Sequence, residues 1–347
     1  MRRTGYLGMF LILILILTVS ALPGFSQAPA QGKARQTKTP AEYNSYNSCF
    51  QEKDFAKKAD LCEKFTNEFK ESDFLDNGYK LVIQSNLQLK NWQKVMDTAD
   101  KAVTIPGADN SLKAYSFENA MIAAQNANNI DKVISYGEKV LQVDPNNLNT
   151  LITLSAVIPQ KSPSNKAELD RAADMANKAI AGLKPIMSQA TEAQKPQLVQ
   201  IDGTLHGTLG LIAYNKQDYK TSIEEYKTAI NDNKKDDAAH YYLAYDYIAL
   251  MSAASKAYLA AIEDEKKGIA EKVDQPTMDD LKAKTAGHAE EVTKYRDMVI
   301  DELALAVAIN GPVAAQAKQE LSKQWTAKNN DTMGMEEFIN QKKSQVQ

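Results

Sequence analysis

Glycine is sparse in this chain, 15 of 347 residues, and alternation of β-branched with polar residues is hard to find anywhere after the amino terminus. Few turn residues and no period-two pattern leave little to build a sheet from, so the chain reads as all-α. Excess positive charge is also lacking: 41 Lys and Arg stand against 44 Asp and Glu, a formal net charge of −3. That argues against a nucleic-acid surface, which needs clustered cations to displace counterions. The sequence contains no glycine-rich phosphate loop, no Gly-x-Ser-x-Gly elbow and no His-Glu-x-x-His, so nothing in it gives a reason to propose an enzyme or a cofactor. Acidic runs such as Glu263-Asp264-Glu265 and Asp279-Asp280 are flanked by lysines and read as solvated helix faces.

What is present begins with an apolar run. Arg2 and Arg3 precede an uncharged stretch centred on residues 10–19, and the next charge is Lys33. A basic start, an apolar middle and small residues at Ser26, Ala28 and Ala30 are the layout of a secretory signal peptide, expected over residues 1–28. The alternative is an uncleaved anchor over residues 6–25, about the ~20 residues that a span requires. Either way the body of the protein is expected to be exported, periplasmic or secreted, with any membrane contact made through this segment alone. Residues 29–39 are polar and small, and read as a disordered tether.

The stretch from Gly203 to Asp236 carries the pattern around which the rest is arranged. Its first half holds His206, Leu209, Gly210 and Ala213; its second holds Tyr219, Ser222, Tyr226 and Ala229. Two antiparallel helices approach closely only where a small residue sits at the crossing, which is the use of Gly210 and Ser222. Leu209, Ile223, Tyr226 and Ile230 recur at three- and four-residue intervals and form apolar stripes facing a shared core. One such hairpin cannot bury its stripe alone, so neighbours must stack on it.

In spacing and residue size this stretch resembles the tetratricopeptide repeat. Leu151, Leu154, Ser155 and Ile158 follow Phe117, Ala120, Met121 and Ala124 at the repeat length of that family, and His240, Leu243, Ala244 and Tyr247 follow the Gly203 unit at the same interval. The resemblance covers about six units. It implies a right-handed helical-hairpin solenoid over residues 40–268, closed by a carboxy-terminal helical cap over residues 269–347. Tyr43, Tyr46 and Phe50 are expected as the apolar stripe of the first helix. The segment from Pro159 to Glu168 and a second beginning at Lys184 read as insertions, and Thr191 with Gln194 as a capping box lengthening the next helix. Gly311 is expected to end one helix and Pro312 to start another.

The resemblance also implies a function of the binding kind: an exported scaffold of bacterial type that holds a protein or peptide partner on its concave face. Alternatives are an envelope-assembly factor holding client polypeptides and a non-catalytic subunit of an envelope enzyme complex. In the family the groove is lined by the free side of each repeat's first helix. That side carries Lys80 and Gln84, then Tyr115, Glu118 and Ile122, then Thr204, Leu211 and Tyr214, then Tyr241 and Tyr245. Tyrosines suit recognition because they bury area at small entropic cost.

Two side-chain sets remain. Cys49 and Cys62 are the only cysteines; outside the cytoplasm they have the option of a disulfide across the first hairpin, or they serve as small apolar core residues. His206 and His240 lie one repeat length apart, at a position that the family fills with a bulky core residue. With no set of three or four ligands evident around them, they are expected to pack rather than bind a metal. His288 is expected to be solvated.

Overall fold

A computed structural model describes residues 35–346. The expected signal peptide or anchor, and residues 29–34 of the tether, lie outside the described residues. Helices are the only regular elements among those described. They are α1 (Pro40–Gln51), α2 (Phe55–Glu68), α3 (Leu75–Gln88), α4 (Trp92–Ala102), α5 (Asn110–Asn126), α6 (Ile130–Val143) and α7 (Leu148–Lys161). Then follow α8 (Lys166–Gln189), α9 (Lys195–Asn215), α10 (Tyr219–Asp232), α11 (Asp237–Glu271), α12 (Gln275–Ile309), α13 (Ala314–Asn329) and α14 (Met335–Lys343). The helices from α1 to α13 pack mainly on their neighbours in sequence, and α14 packs on α12, giving six helix pairs and two closing helices.

Local chemistry sets the helix boundaries. Asp54, Asp109, Asn129, Asn147, Asp218 and Asp236 each accept a hydrogen bond from a first-turn N–H of α2, α5, α6, α7, α10 and α11, satisfying donors that the helix leaves open. Within three pairs the turn is made by one residue in the left-handed region, Lys90, Asn128 or Gln217. The next N–H then bonds back to the carbonyl of Asn86, Ala124 or Ala213, so one helix ends and its partner starts within three residues.

Buried residues form a chain of linked cores. Val95, Ala99, Ala120 and Ala124 belong to one; Leu154, Leu169, Ala176 and Leu205 to the next; Tyr226, Leu243, Leu303, Leu321 and Ile339 to the last. Outside, the second helices of successive pairs are tied by ion pairs: Lys94 to Glu63 at 3.3 Å, Lys139 to Asp100 at 3.8 Å, and Arg171 to Glu138 at 2.7 Å. At these exposures each contributes about 0–1 kcal/mol, so the apolar cores carry the stacking.

Several expectations need correction. In α1 the buried residues are Glu42 and Cys49, while Tyr43 and Phe50 are more than half exposed. Of the expected stripe only Tyr46 packs inward, against Phe65 and Phe74. Residues 35–39 are not a free tether: Arg35 makes two bonds to Asp76, Gln36 N–H donates to Asp73, and Lys38 donates to the Glu71 carbonyl. The loop at Pro159 shrinks to residues 162–165, because α7 runs through Pro159 to Lys161 and α8 starts at Lys166. Likewise α8 continues past Pro185 to Gln189. A proline near the end of a helix removes one helical bond and need not end it.

At the end of α12 the left-handed residue is Asn310. Gly311 is there for space, since a side chain would run into the carboxylate of Asp237, which accepts from Val313 N–H at 2.9 Å. Residues 268 and 269, the expected boundary of array and cap, sit within the single helix α11.

Candidate functional site

The first helices of the pairs are α1, α3, α5, α7, α9 and α11, and the expected groove residues fall on four of them, α3, α5, α9 and α11, as two separate groups. The first group joins α3 to α5. Lys80 Nζ lies 5.8 Å from the centre of the Tyr115 ring, within the range of a cation–π contact. Gln84 is exposed, and Ile122 is 37% exposed. Glu118 accepts from Asn149 of α7 at 3.3 Å; burial pushes its carboxyl above the usual range. It is therefore a link between repeats as well as a surface group.

The second group joins α9 to α11. Tyr214 and Tyr219 meet edge to face with centroids 5.8 Å apart. Tyr241 donates to the hydroxyl of Tyr245 at 3.1 Å, and their rings lie 4.9 Å apart. Burial raises the hydroxyl pKa of Tyr214 and Tyr241, and the Tyr245 bond adds to it for Tyr241; both residues are half-buried. Leu211 is half-buried beside them. Thr204 is exposed, but its hydroxyl bonds the Gln200 carbonyl of its own helix, so it is spent locally.

Three members of this face were not evident from the sequence. Asn149 follows its cap residue by two positions and gives no periodic signal. Tyr219 begins a second helix yet reaches Tyr214. Glu320 of α13 is close enough to Tyr241 to raise its pKa, so the closing helices approach the end of this face.

Below the second group lies a buried polar set. Ser222 Oγ is 2.9 Å from the Gly210 carbonyl and 2.7 Å from Asp246 Oδ2. Asp246 is fully buried, and burial pushes its carboxyl up to about 7. A β-carbon on Gly210 would stand 3.0 Å from three atoms of the Tyr226 ring. The small residues at this crossing therefore seat a tyrosine, which is fully buried with its hydroxyl unpartnered among the described residues.

Cys49 and Cys62 form a disulfide between α1 and α2, with Cα atoms 4.9 Å apart. The histidines do more than pack. His206 Nδ1 lies 2.6 Å from Glu225 of α10, and His240 Nδ1 lies 2.6 Å from Glu302 of α12. Glu225 raises the His206 pKa against the opposing effect of burial. His288 is half-buried, 3.2 Å from Glu291.

No family model matches the chain, and no curated protein matches it. Among solved structures it is similar to a tetratricopeptide repeat protein from Parabacteroides merdae, with 11% identity over 82% of this chain and 96% of the other, TM-score 0.41. It is also similar to a double mutant of MamA, 13% identical over 62% of this chain and 94% of that one, TM-score 0.39. PilF of Pseudomonas aeruginosa is 12% identical over 77% and 97%, TM-score 0.36. Superpositions this loose say nothing about activity, and the fold rests on the chain's own helix pairs. In those pairs, with a small-residue crossing at Gly210 and Ser222 and core positions returning once per repeat, the chain is an all-α array of tetratricopeptide-type helical hairpins.

Proposed function

We propose that this chain is a non-catalytic scaffold that holds a protein or peptide partner on the face formed by its first helices. The observation that carries the reading is the set of half-buried tyrosines on α9, α10 and α11: Tyr214, Tyr219, Tyr241 and Tyr245. Rings held by one another and only half-buried present area whose rotamers are already restricted, which lowers the entropic cost of binding. Toward the other end the face offers Lys80, Glu118 and the exposed Ile122, a mixture suited to a peptide rather than to nucleic acid. We place the scaffold outside the cytoplasm on the strength of the basic and apolar amino-terminal residues. No described helix is long and apolar enough to cross a membrane, so attachment, if the anchor stays uncleaved, falls to residues 6–25.

The test is photo-crosslinking in the native host, with a benzophenone residue at position 115, 122, 214 or 245 and, as controls, at Lys94 and Lys227 of the second helices. One discrete adduct from the first set, absent from the controls and, for positions 115, 122 and 245, lost when Tyr214 and Tyr241 are both changed to Ala, supports the reading. Adducts only from the second-helix positions would overturn it.

A further inference from the structure

His206 belongs to a cluster for which packing gives no account. Asp202 and His206 are four residues apart and share one face of α9; Glu225 and Asp232 are seven apart and share the facing side of α10. The two helices are brought close here: a β-carbon on Gly203 would lie 3.2 Å from the Asp232 β-carbon and 3.4 Å from the Ala229 carbonyl oxygen. As a result one ligand atom each of Asp202, His206 and Asp232 lies within 4.8 Å of the other two. Asp232 Oδ2 is buried and has no hydrogen-bond partner among the described residues. A carboxylate oxygen turned away from water without a donor is costly, and the residue that carries it lies beside a second carboxylate and an imidazole.

The chain contains its own control. His240 repeats His206 one repeat later, and its Nδ1 makes the same 2.6 Å contact to a glutamate. The rest of the cluster is missing there. Asp236, the counterpart of Asp202, is used as the cap of α11, accepting from Ala239 N–H at 2.9 Å. Seven residues after Glu302, where Asp232 follows Glu225, stands Ile309. A histidine–glutamate contact thus goes with this repeat position in general, whereas the two aspartates around His206 do not.

From this juxtaposition we propose that Asp202, His206 and Asp232 bind a divalent first-row transition metal ion of the zinc type. Glu225 holds Nδ1 and so presents Nε2 to the ion. Two carboxylates and one imidazole suit zinc better than calcium, which takes six to eight oxygens, and three protein ligands leave a position for water or for a group from a partner. The ion would join the middle of α9 to the end of α10, stiffening the repeat that carries Tyr214.

The experiment is equilibrium dialysis of the untagged full chain against zinc chloride at neutral pH, with bound metal counted by elemental analysis. One zinc per chain is expected, with cobalt(II) giving visible bands of a low-coordinate nitrogen and oxygen site. Asp232→Asn removes a ligand and relieves the unpartnered oxygen, so the variant should fold, checked by circular dichroism, and bind at least tenfold more weakly. Glu225→Gln should weaken binding about 10- to 100-fold, the range for a group that orients a ligand, while His240→Gln leaves it unchanged. Failure of the parent to bind stoichiometric zinc overturns the proposal, as does binding that survives both Asp232→Asn and His206→Gln.

Discussion

Ser222 stands between two acceptors, 2.7 Å from Asp246 Oδ2 and 2.9 Å from the Gly210 carbonyl, and a hydroxyl has a single proton to give. Both bonds are satisfied only when Asp246 is protonated and donates to Ser222 while Ser222 donates to Gly210. That state matches a fully buried carboxyl pushed from 3.8 up to about 7 by desolvation. A carboxyl raised in this way holds its proton in the folded chain where the unfolded chain has lost it, so its contribution to stability falls as pH rises from about 4 through 7.

The expected outcome is a loss on the order of 2–4 kcal/mol between pH 5 and pH 8 in urea unfolding of the parent. Asp246→Asn, whose amide donates to Ser222 at every pH, should flatten this dependence. His206, whose pKa Glu225 raises, contributes in the same direction, its stabilisation lost as pH rises through the folded value. The measurement is therefore the difference between parent and variant, both in chelator. Equal slopes for the two would show that Asp246 is ionised throughout.

A second prediction sets two glycines of α9 against each other. Gly210→Ala places its methyl 3.0 Å from the Tyr226 ring, whereas a β-carbon on Gly207 meets nothing within 4 Å. Tyr226 is fully buried and has nowhere to retreat, so Gly210→Ala is expected to cost about 1–3 kcal/mol. Gly207→Ala should gain up to about 1 kcal/mol, because alanine gives up less backbone freedom in a helix. Urea midpoints of the two variants should move in opposite directions; a shared direction would mean that the crossing at Gly210 is looser than its geometry indicates.

How much of this was legible in the sequence depended on whether a signal was local. The crossing at Gly210 and the cores around Leu154 and Leu243 were readable because spacing within one helix, recurring from repeat to repeat, decides both. The face of α1 was not, since its aromatic residues outnumber those it buries and Glu42 goes inside to bind Ser72 and the Lys38 N–H. Pro159 and Pro185 read as breaks because a proline signals a lost bond and cannot signal that the helix runs on past it. The groove positions followed from helix phase, but their division into two groups depends on contacts between repeats, such as Glu118 with Asn149. The Glu302 partner of His240 is far along the chain, in a helix without the repeat, and no spacing rule reaches it. An aspartate four residues before each histidine was visible in the sequence, but Asp236 serves as a helix cap, so that spacing alone did not single out the cluster around His206.

The third prediction concerns the disulfide. Cys49 and Cys62 are fully buried and separated by 13 residues. Closing a loop of this size restricts the unfolded first hairpin by an amount worth roughly 2–3 kcal/mol. In a repeat array each unit contacts only its neighbours, so that stabilisation should stay where it is made. Changing both cysteines to Ala, or reducing the bond, is expected to speed amide exchange in α1 and α2 by roughly 30- to 150-fold, the rate equivalent of that energy. Exchange in α9 to α12 should be unaffected. A loss of protection spread evenly along the chain would instead make the array a single cooperative unit, and the effect of a partner or of a metal ion at one repeat would then be felt at all of them.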